Sequence, residues 1–323
     1  MIYAIIVTYN PDLELLENQF YALFSQVDGL VYVDNGSNNL YDIRCFIKRS
    51  ETKHSKIITV YNSNNIGLGA AQNQGIDIAI SDGIDHVVFF DQDSTPEQGF
   101  ISNMLKVEAR LLSQGKRVAV VAPTAIEENL GKICGVTLHE GWCKQQVFPQ
   151  EGEFSVLWVM ASGSLFRTEV FQSIGGMNPY FFVDMIDTEW GYRAKAKGYE
   201  VFVTAEARLF HNVGDSSKNI GGRIMHIHHP YRFYYHARNN LVQIYNPVYR
   251  GYRTRILTRT FVRLLVRIGL HAVLVENGWK YVKYGIRGIV DGFMGKLGPY
   301  EHTCKYRFDT DKWYTSGITQ KVR

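Results

Sequence analysis

Through its first half the chain alternates short apolar, β-branched runs with segments of helical periodicity, and run after run stops at a cluster of polar residues. Residues 3–8, 30–33, 56–61, 86–90 and 118–122 read as strands, and residues 13–24 and 70–80 read as helices. Continuous apolar runs suit strands buried on both faces, and helices between them supply the crossovers that parallel pairs need. The pattern predicts an α/β fold, Rossmann-like, with a mostly parallel central sheet and flanking helices. In open sheets of this kind ligands bind beyond the carboxyl ends of the strands. Polar clusters stand at those ends: Thr8-Tyr9-Asn10, Asp34-Asn35, Asn62 to Asn65, and Asp91-Gln92-Asp93. Residues 125–165 are less regular, 184–198 regain a helical pattern, and 200–204 read as a short strand. Beyond about residue 230 the chain is aromatic, basic and helical in pattern.

Composition narrows the class. With 323 residues, 46% hydrophobic and 20% charged, the chain is too apolar to be disordered and long enough for a sizeable core. Cys45, Cys134, Cys143 and Cys304 are scattered and form no CxxC, so neither a disulfide framework nor a zinc site is expected, and a reducing compartment fits. The stretch MIYAIIVTYNP lacks a basic n-region and predicts no signal peptide. No run of about twenty apolar residues exists to span a membrane. The net charge of +4 is uneven: residues 250–323 carry 15 Lys and Arg against 5 Asp and Glu, a local balance of +10, leaving residues 1–249 at −6. A basic tail on an acidic body suits an anionic partner. No nucleic-acid-binding motif accompanies that charge, so no nucleic-acid partner is expected.

Several residues can carry chemistry. Asp91 and Asp93 directly follow an apolar strand, and carboxylates at i and i+2 on extended backbone point the same way, toward one ion. Oxygen ligands favour Mg²⁺ or Mn²⁺. The same string also fits a solvated turn. Asn65-Ile66-Gly67-Leu68-Gly69 resembles part of a dinucleotide fingerprint, but Gln72 stands where a third glycine belongs, and a dehydrogenase reading is rejected. Asp184, Asp187 and Glu189 lie near the start of a helical pattern. On a regular helix Asp187 and Glu189 diverge by roughly 200°, so they have different jobs or simply enrich the first turn. His211 precedes a turn-like Asn212-Val213-Gly214; alone it reads as a surface histidine. His226, His228, His229 and His236 match no zinc spacing.

Taken in order, these strings resemble the inverting family 2 glycosyltransferases of the GT-A fold. They are Val7-Thr8-Tyr9-Asn10-Pro11, Val33-Asp34-Asn35-Gly36-Ser37, Asn65 to Gly75, Asp91-Gln92-Asp93, Ser162-Gly163-Ser164-Leu165-Phe166-Arg167, Ile174-Gly175-Gly176-Met177, Asp187 with Glu189 and Arg193, and His211. The Asp-Gln-Asp form, with Tyr234-Tyr235 and Arg238-Asn239 downstream, is similar to bacterial rhamnosyltransferases that build surface polysaccharides. The resemblance implies a catalytic unit over residues 1–229 and a helical C-terminal region over 230–323. It implies that Thr8, Tyr9, Asn10, Asp34, Asn65, Gly67, Asp91 and Gln92 hold a nucleotide-sugar donor, dTDP-L-rhamnose favoured over a UDP-hexose. It assigns the cation to Asp91, Asp93 and His211, and the catalytic base to Asp187. The residue before Asp187 is Ile186 rather than the common acidic one, so Asp184 competes for the base role. Asp184, Glu189 and Trp190 are expected beside a lipid-linked glycan acceptor.

Arg255, Arg259, Arg263 and Arg267 recur every four residues among apolar side chains. On a helix they form a stripe suited to an anionic membrane surface, here the inner face of the plasma membrane; packing on a second subunit, as a homodimer, is the alternative. Two other classes compete with the transferase. A sugar-nucleotide pyrophosphorylase would need a glycine-rich basic loop after the first strand, where Thr8-Tyr9-Asn10-Pro11 stands. A glycan-binding module without turnover would have no use for Asp91, Asp93, Asp187 and His211.

Overall fold

The computed structural model describes residues 1–51, 56–127, 131–140, 143–211, 216–220, 223–227, 229–245 and 253–305. Strands β1 (Ile2–Thr8), β2 (Gly29–Asp34), β3 (Lys56–Tyr61) and β4 (His86–Asp91) alternate with helices α1 (Leu13–Leu23), α2 (Leu40–Ser50) and α3 (Leu68–Ser81). A short β5 (Thr95–Pro96) and α4 (Phe100–Ser113) lead to β6 (Val118–Glu127). Four short strands follow: β7 (Lys132–Ile133), β8 (Val136–Glu140), β9 (Cys143–Val147) and β10 (Glu153–Val156). Then come β11 (Leu165–Arg167), α5 (Thr168–Ile174), α6 (Ile186–Ala196) and β12 (Glu200–His211). A hairpin of β13 (Ser216–Ile220) and β14 (Arg223–Ile227) precedes α7 (Pro230–Val242), α8 (Arg253–Leu274) and α9 (Gly278–Phe293), and a small pair, β15 (Lys296–Leu297) and β16 (Cys304–Lys305), closes the described chain.

The main sheet runs β10-β12-β6-β11-β4-β1-β2-β3, with β5 and β7 added on β12 and β6. β3, β2, β1 and β4 are mutually parallel, as are β6 and β12, while the three-residue β11 lies antiparallel between β4 and β6. Both faces are covered, as the unbroken apolar runs require. Tyr3 and Ile5 face the core beneath α3, α5 and α6, while Ile2, Ala4 and Ile6 face the core beneath α1, α2 and α4. The side chain of Asp12 caps α1 by accepting from the Glu14 and Leu15 amides.

Two local expectations change. The strand expected at 200–204 runs on to His211, because Leu209 and Phe210 pair with Pro96 and Thr95 while also extending along β6. The Asp91–Asp93 string is not extended: the Ser94 amide donates to the Asp91 carbonyl at 3.1 Å, and the chain turns there. The strand geometry that would have aimed both carboxylates one way is therefore absent, and the turn sets their directions instead.

Beyond residue 230 the expected helices form. α7 packs on α9, and Tyr234, Tyr235, Tyr231, Tyr284 and Tyr300 join Phe182 and Val183 in one cluster. The C-terminal helices thus share packing with the segment that leads into α6.

Candidate active site at the strand ends

Parallel register brings the ends of β1, β2 and β4 side by side, with Thr8 opposite Asp34 and Val7 opposite Asp91. The Thr8 hydroxyl donates to Asp34 Oδ1 at 3.1 Å, and Asp34 Oδ2 accepts from the Gly36 and Ser37 amides. Asp34 is only 1% exposed and Thr8 is wholly buried. Their hydrogen-bonding capacity is largely used within the protein, and they form the floor of the edge rather than its surface. Tyr9 is exposed, and its amide donates to Gln92 Oε1 at 2.8 Å, joining the first and fourth strand ends. Asn10 holds a left-handed backbone, φ 48°, and its side chain accepts from the Asn38 amide. Asn65 Oδ1 accepts from Asn35 Nδ2 and from the Gly67 amide. Gly67 has φ 91°, and a Cβ there would lie 2.9 Å from Phe182, so no other residue fits the bend before α3.

The turn at 91–94 is anchored by Gln19, to which the sequence alone gives no part, and by Ser162, which there stands only within one of the resembling strings. Gln19 Nε2 donates to the carbonyls of Asp91 and Ser94, and Ser162 Oγ accepts from the Asp91 amide and donates to Ser94 Oγ. A glutamine on the otherwise apolar face of α1, among Leu16, Phe20 and Leu23, was the available signal. β-pairing of Phe210 with Thr95 carries the His211 backbone toward this turn; the His211 side chain lies outside the described residues. Among the described residues no three His, Cys, Asp or Glu side chains converge as a metal site.

Asp187 stands in the first turn of α6, and its Oδ2 accepts from the Ala161 amide at 3.1 Å, next to Ser162. Asp187 also borders a small apolar hollow lined by Val120, Val159, Phe166, Met177 and Trp190. Burial pushes the carboxyl up to about 7; the Ala161 amide opposes this, and the charges of Asp91 and Asp184 add to the rise. A carboxylate poised near neutrality beside two others can accept a proton from a hydroxyl.

The divergence of Asp187 and Glu189 resolves into two structural roles for the residues that follow Asp187. Glu189 is buried and accepts from Arg193 Nε with both oxygens, at 2.8 and 3.0 Å. Arg193 also donates to the carbonyls of Ile174 and Gly176, and Trp190 Nε1 donates to that of Gly175. The Trp190 ring, 2% exposed, packs on Phe166 and Phe171. Glu189 and Trp190, both expected beside the acceptor, face inward and tie α6 to the end of α5. Asp184 stays at the surface side, paired with Arg232 at 2.9 Å.

Residues 3–175 match the sequence profile of Glycosyl transferase family 2. The chain belongs to that family. It is a glycosyltransferase with a GT-A fold. It is 29% identical over 312 residues to the dTDP-rhamnosyl transferase RfbF of Shigella flexneri, covering 92% of this chain and 97% of that protein. Among solved structures, GalNAc-T7 with UDP, GalNAc and Mn²⁺ aligns with a TM-score of 0.57 at 13% identity, over 78% of this chain and 49% of that one. The mannosyltransferase PcManGT of Pyrobaculum calidifontis, bound to GDP-Man and Mn²⁺, aligns at 0.51 and 14% identity, over 90% and 86%. At such identities the structures support the fold of this family 2 member.

Proposed function

We propose that this family 2 glycosyltransferase moves L-rhamnose from dTDP-L-rhamnose, with inversion, onto a hydroxyl of a lipid-linked polysaccharide intermediate. The observation that carries the chemistry is the place of Asp187, in the first turn of α6 with its Oδ2 on the Ala161 amide, next to the Ser162 that holds the Asp91 turn. Similarity to the Shigella dTDP-rhamnosyl transferase across nearly the whole chain supports the donor. In this reading Tyr9, Asn10, Asn65, Gly67 and Gln92 line the donor pocket, with Thr8 and Asp34 as its floor. Asp187 takes the proton of the acceptor hydroxyl as it attacks from the face opposite the nucleotide, and Asp184 borders the acceptor. No covalent enzyme intermediate is needed for one inverting displacement.

Asp91 and Asp93 would hold Mg²⁺ or Mn²⁺, with His211 as a further ligand. Their all-oxygen pair suits a hard cation. When bound, such an ion supplies neutralisation of charge on the departing diphosphate.

The C-terminal helices supply the membrane contact in this reading. Side chains of Arg255 and Arg259 lie outside the described residues, and Arg267 turns inward, donating to His236 Nε2 at 2.8 Å, so the arginine stripe is not continuous at the surface. The membrane face is instead apolar: Val262, Leu265, Val266, Leu270 and Val273 are exposed at helical spacing on α8, and Trp279, Ile286 and Val290 on α9. Exposed Arg263, Lys280 and Lys283 flank them and suit anionic lipid. No described helix is long and apolar enough to cross a membrane.

Calorimetric titration with dTDP, UDP and GDP, each with and without Mn²⁺, tests the donor. Preferential, cation-dependent binding of dTDP is expected. Preference for UDP would replace the sugar, and no binding of any of the three by folded protein would remove the transferase assignments.

A further inference from the structure

Residues 179–185 connect a 3₁₀ turn, Pro179–Phe181, to the first residue of α6, and they are strained in a way their sequence does not invite. Phe182 sits at φ 68°, ψ −63°, and the Val183 amide donates to the Phe181 carbonyl at 2.8 Å, which is a γ-turn of the rarer, strained hand. Asp184 and Met185 follow at φ 62° and 65°. Three non-glycine residues at positive φ within four positions do not persist unless surroundings over-determine them.

The surroundings come from α7. Asn239 Nδ2 donates to three carbonyls, those of Phe181, Val183 and Asp184, at 3.0, 2.8 and 2.8 Å, sharing two hydrogens among them. Arg238 donates to the carbonyls of Phe181 and Tyr180, and orients Asn239 through its Oδ1. Tyr235 stacks on the Phe182 ring at 4.9 Å, and Arg232 holds the Asp184 carboxylate. Residues 232, 235 and 239 are three and four apart, so one face of α7 delivers all of these contacts. The remaining carbonyl, that of Phe182, accepts from the Leu68 amide at 2.6 Å, just past Gly67 on the donor side. Every carbonyl from Tyr180 to Asp184 is thereby held, and Arg238 and Asn239 are themselves fully buried.

We infer that Asn239, with Arg238 and Arg232, is a positioning residue for the transfer step: α7 clamps the strained 181–185 strap and so fixes where the first turn of α6 presents Asp187. The inference rests on the proposed role of Asp187. It assigns the C-terminal region a part in the reaction itself, separate from any membrane contact. Small misplacements of a reacting group cost rate far more than they cost binding of a remote ligand.

Asn239→Ala and Arg232→Ala should be compared with the wild-type chain. The readouts are dTDP release from dTDP-L-rhamnose in the presence of membrane-extracted lipid-linked glycan, dTDP affinity with Mn²⁺, and amide hydrogen exchange over residues 181–188. Asn239→Ala is expected to lower kcat by about 10²-fold with dTDP affinity within about twofold, and to speed exchange of the strap. Adding Met185→Gly, which relieves one left-handed position, should restore part of the lost kcat. A merely structural Asn239 would show no such rescue. Unchanged kcat and unchanged exchange in folded Asn239→Ala would overturn the clamp. Should that variant fail to fold, Arg232→Ala decides: Arg232 is exposed, so its removal spares the core, and kcat and exchange equal to wild type would overturn the inference. If the wild-type chain itself releases no dTDP, the donor reading fails, and the exchange measurements judge the clamp alone.

Discussion

At the ends of β1, β2 and β4 the site is assembled from neighbours: Thr8 meets Asp34, Tyr9 meets Gln92, and Asn35 meets Asn65, each across one strand pair or one loop. The Asp187 side is assembled from afar. Its strap is held by side chains 48 to 58 residues further along the chain, and α6 is tied back to α5 by Arg193 and Trp190. The donor side inherits its geometry from a parallel sheet that would place those residues together in any case. The base side has no such scaffold and depends on particular buried polar contacts. Sheet-end sites are thus expected to tolerate change at single positions better than the strap and α6 do.

The largest effect should come from Asp187, the proposed base. Asp187→Asn is expected to lower turnover by about 10²- to 10⁴-fold while dTDP binding with Mn²⁺ persists, measured by calorimetry beside the turnover assay. Activity near wild type would move the base, with Asp184→Asn the next substitution. Next comes the anchor of α6. Arg193→Ala removes the guanidinium that both oxygens of the buried Glu189 accept from and should cost about 3–5 kcal/mol, read as a lowered midpoint in urea. On the donor side, Asn65→Ala should weaken dTDP binding with little change in that midpoint. Equal destabilisation by the two substitutions would break the contrast between the halves of the site.

Titration sharpens it further. A base pushed up to about 7 loses activity below neutrality, so kcat should fall about tenfold per pH unit well below 7. Stability runs the other way. Because the folded state binds this proton more tightly than the unfolded chain, the contribution of Asp187 is fully present below about pH 4 and is lost as pH rises through 7. Asp77 on α3 is likewise pushed up to about 7 by burial, and its Oδ1 has no hydrogen-bond partner. Asp77→Asn should therefore raise the melting temperature at pH 8, by a smaller margin at pH 5, with turnover unchanged. A loss of turnover would mean that α3 is coupled to the reaction. The smallest effect belongs to the outer helices: Val266→Glu with Leu270→Glu should reduce sedimentation with anionic vesicles and leave dTDP binding as it was.

The match between reading and structure is uneven in an informative way. Helix 68–81 lies within two residues of the span its alanines and apolar spacing predict, and β1 to β4 fall where their apolar runs stand. The string at Asp91–Ser94 fits both an extended pair and a turn, and only the fold decides for the turn, because the spacing of two carboxylates does not reveal whether the backbone between them is extended. Trp190 and Glu189 stand beside Asp187 in the chain, where polar and aromatic residues look functional in one dimension. Only the neighbouring Phe166, Phe171 and Arg193 show that they are core and anchor. Gln19 and Ser162 went without roles, since one polar residue on an apolar face and one serine in a short string signal little alone.

Hydrophobic period, strand-end chemistry and the order of short motifs are written in the chain itself, and they were enough to specify an α/β fold and the family to which it belongs. Where Asp187 stands, how its proton affinity is set and what holds the bend before it depend on desolvation and on hydrogen bonds between distant segments. Those terms exist only once α7 has packed against residues 180–185, because a buried donor such as Asn239 gains its partners from tertiary contact and from nothing in its own neighbourhood.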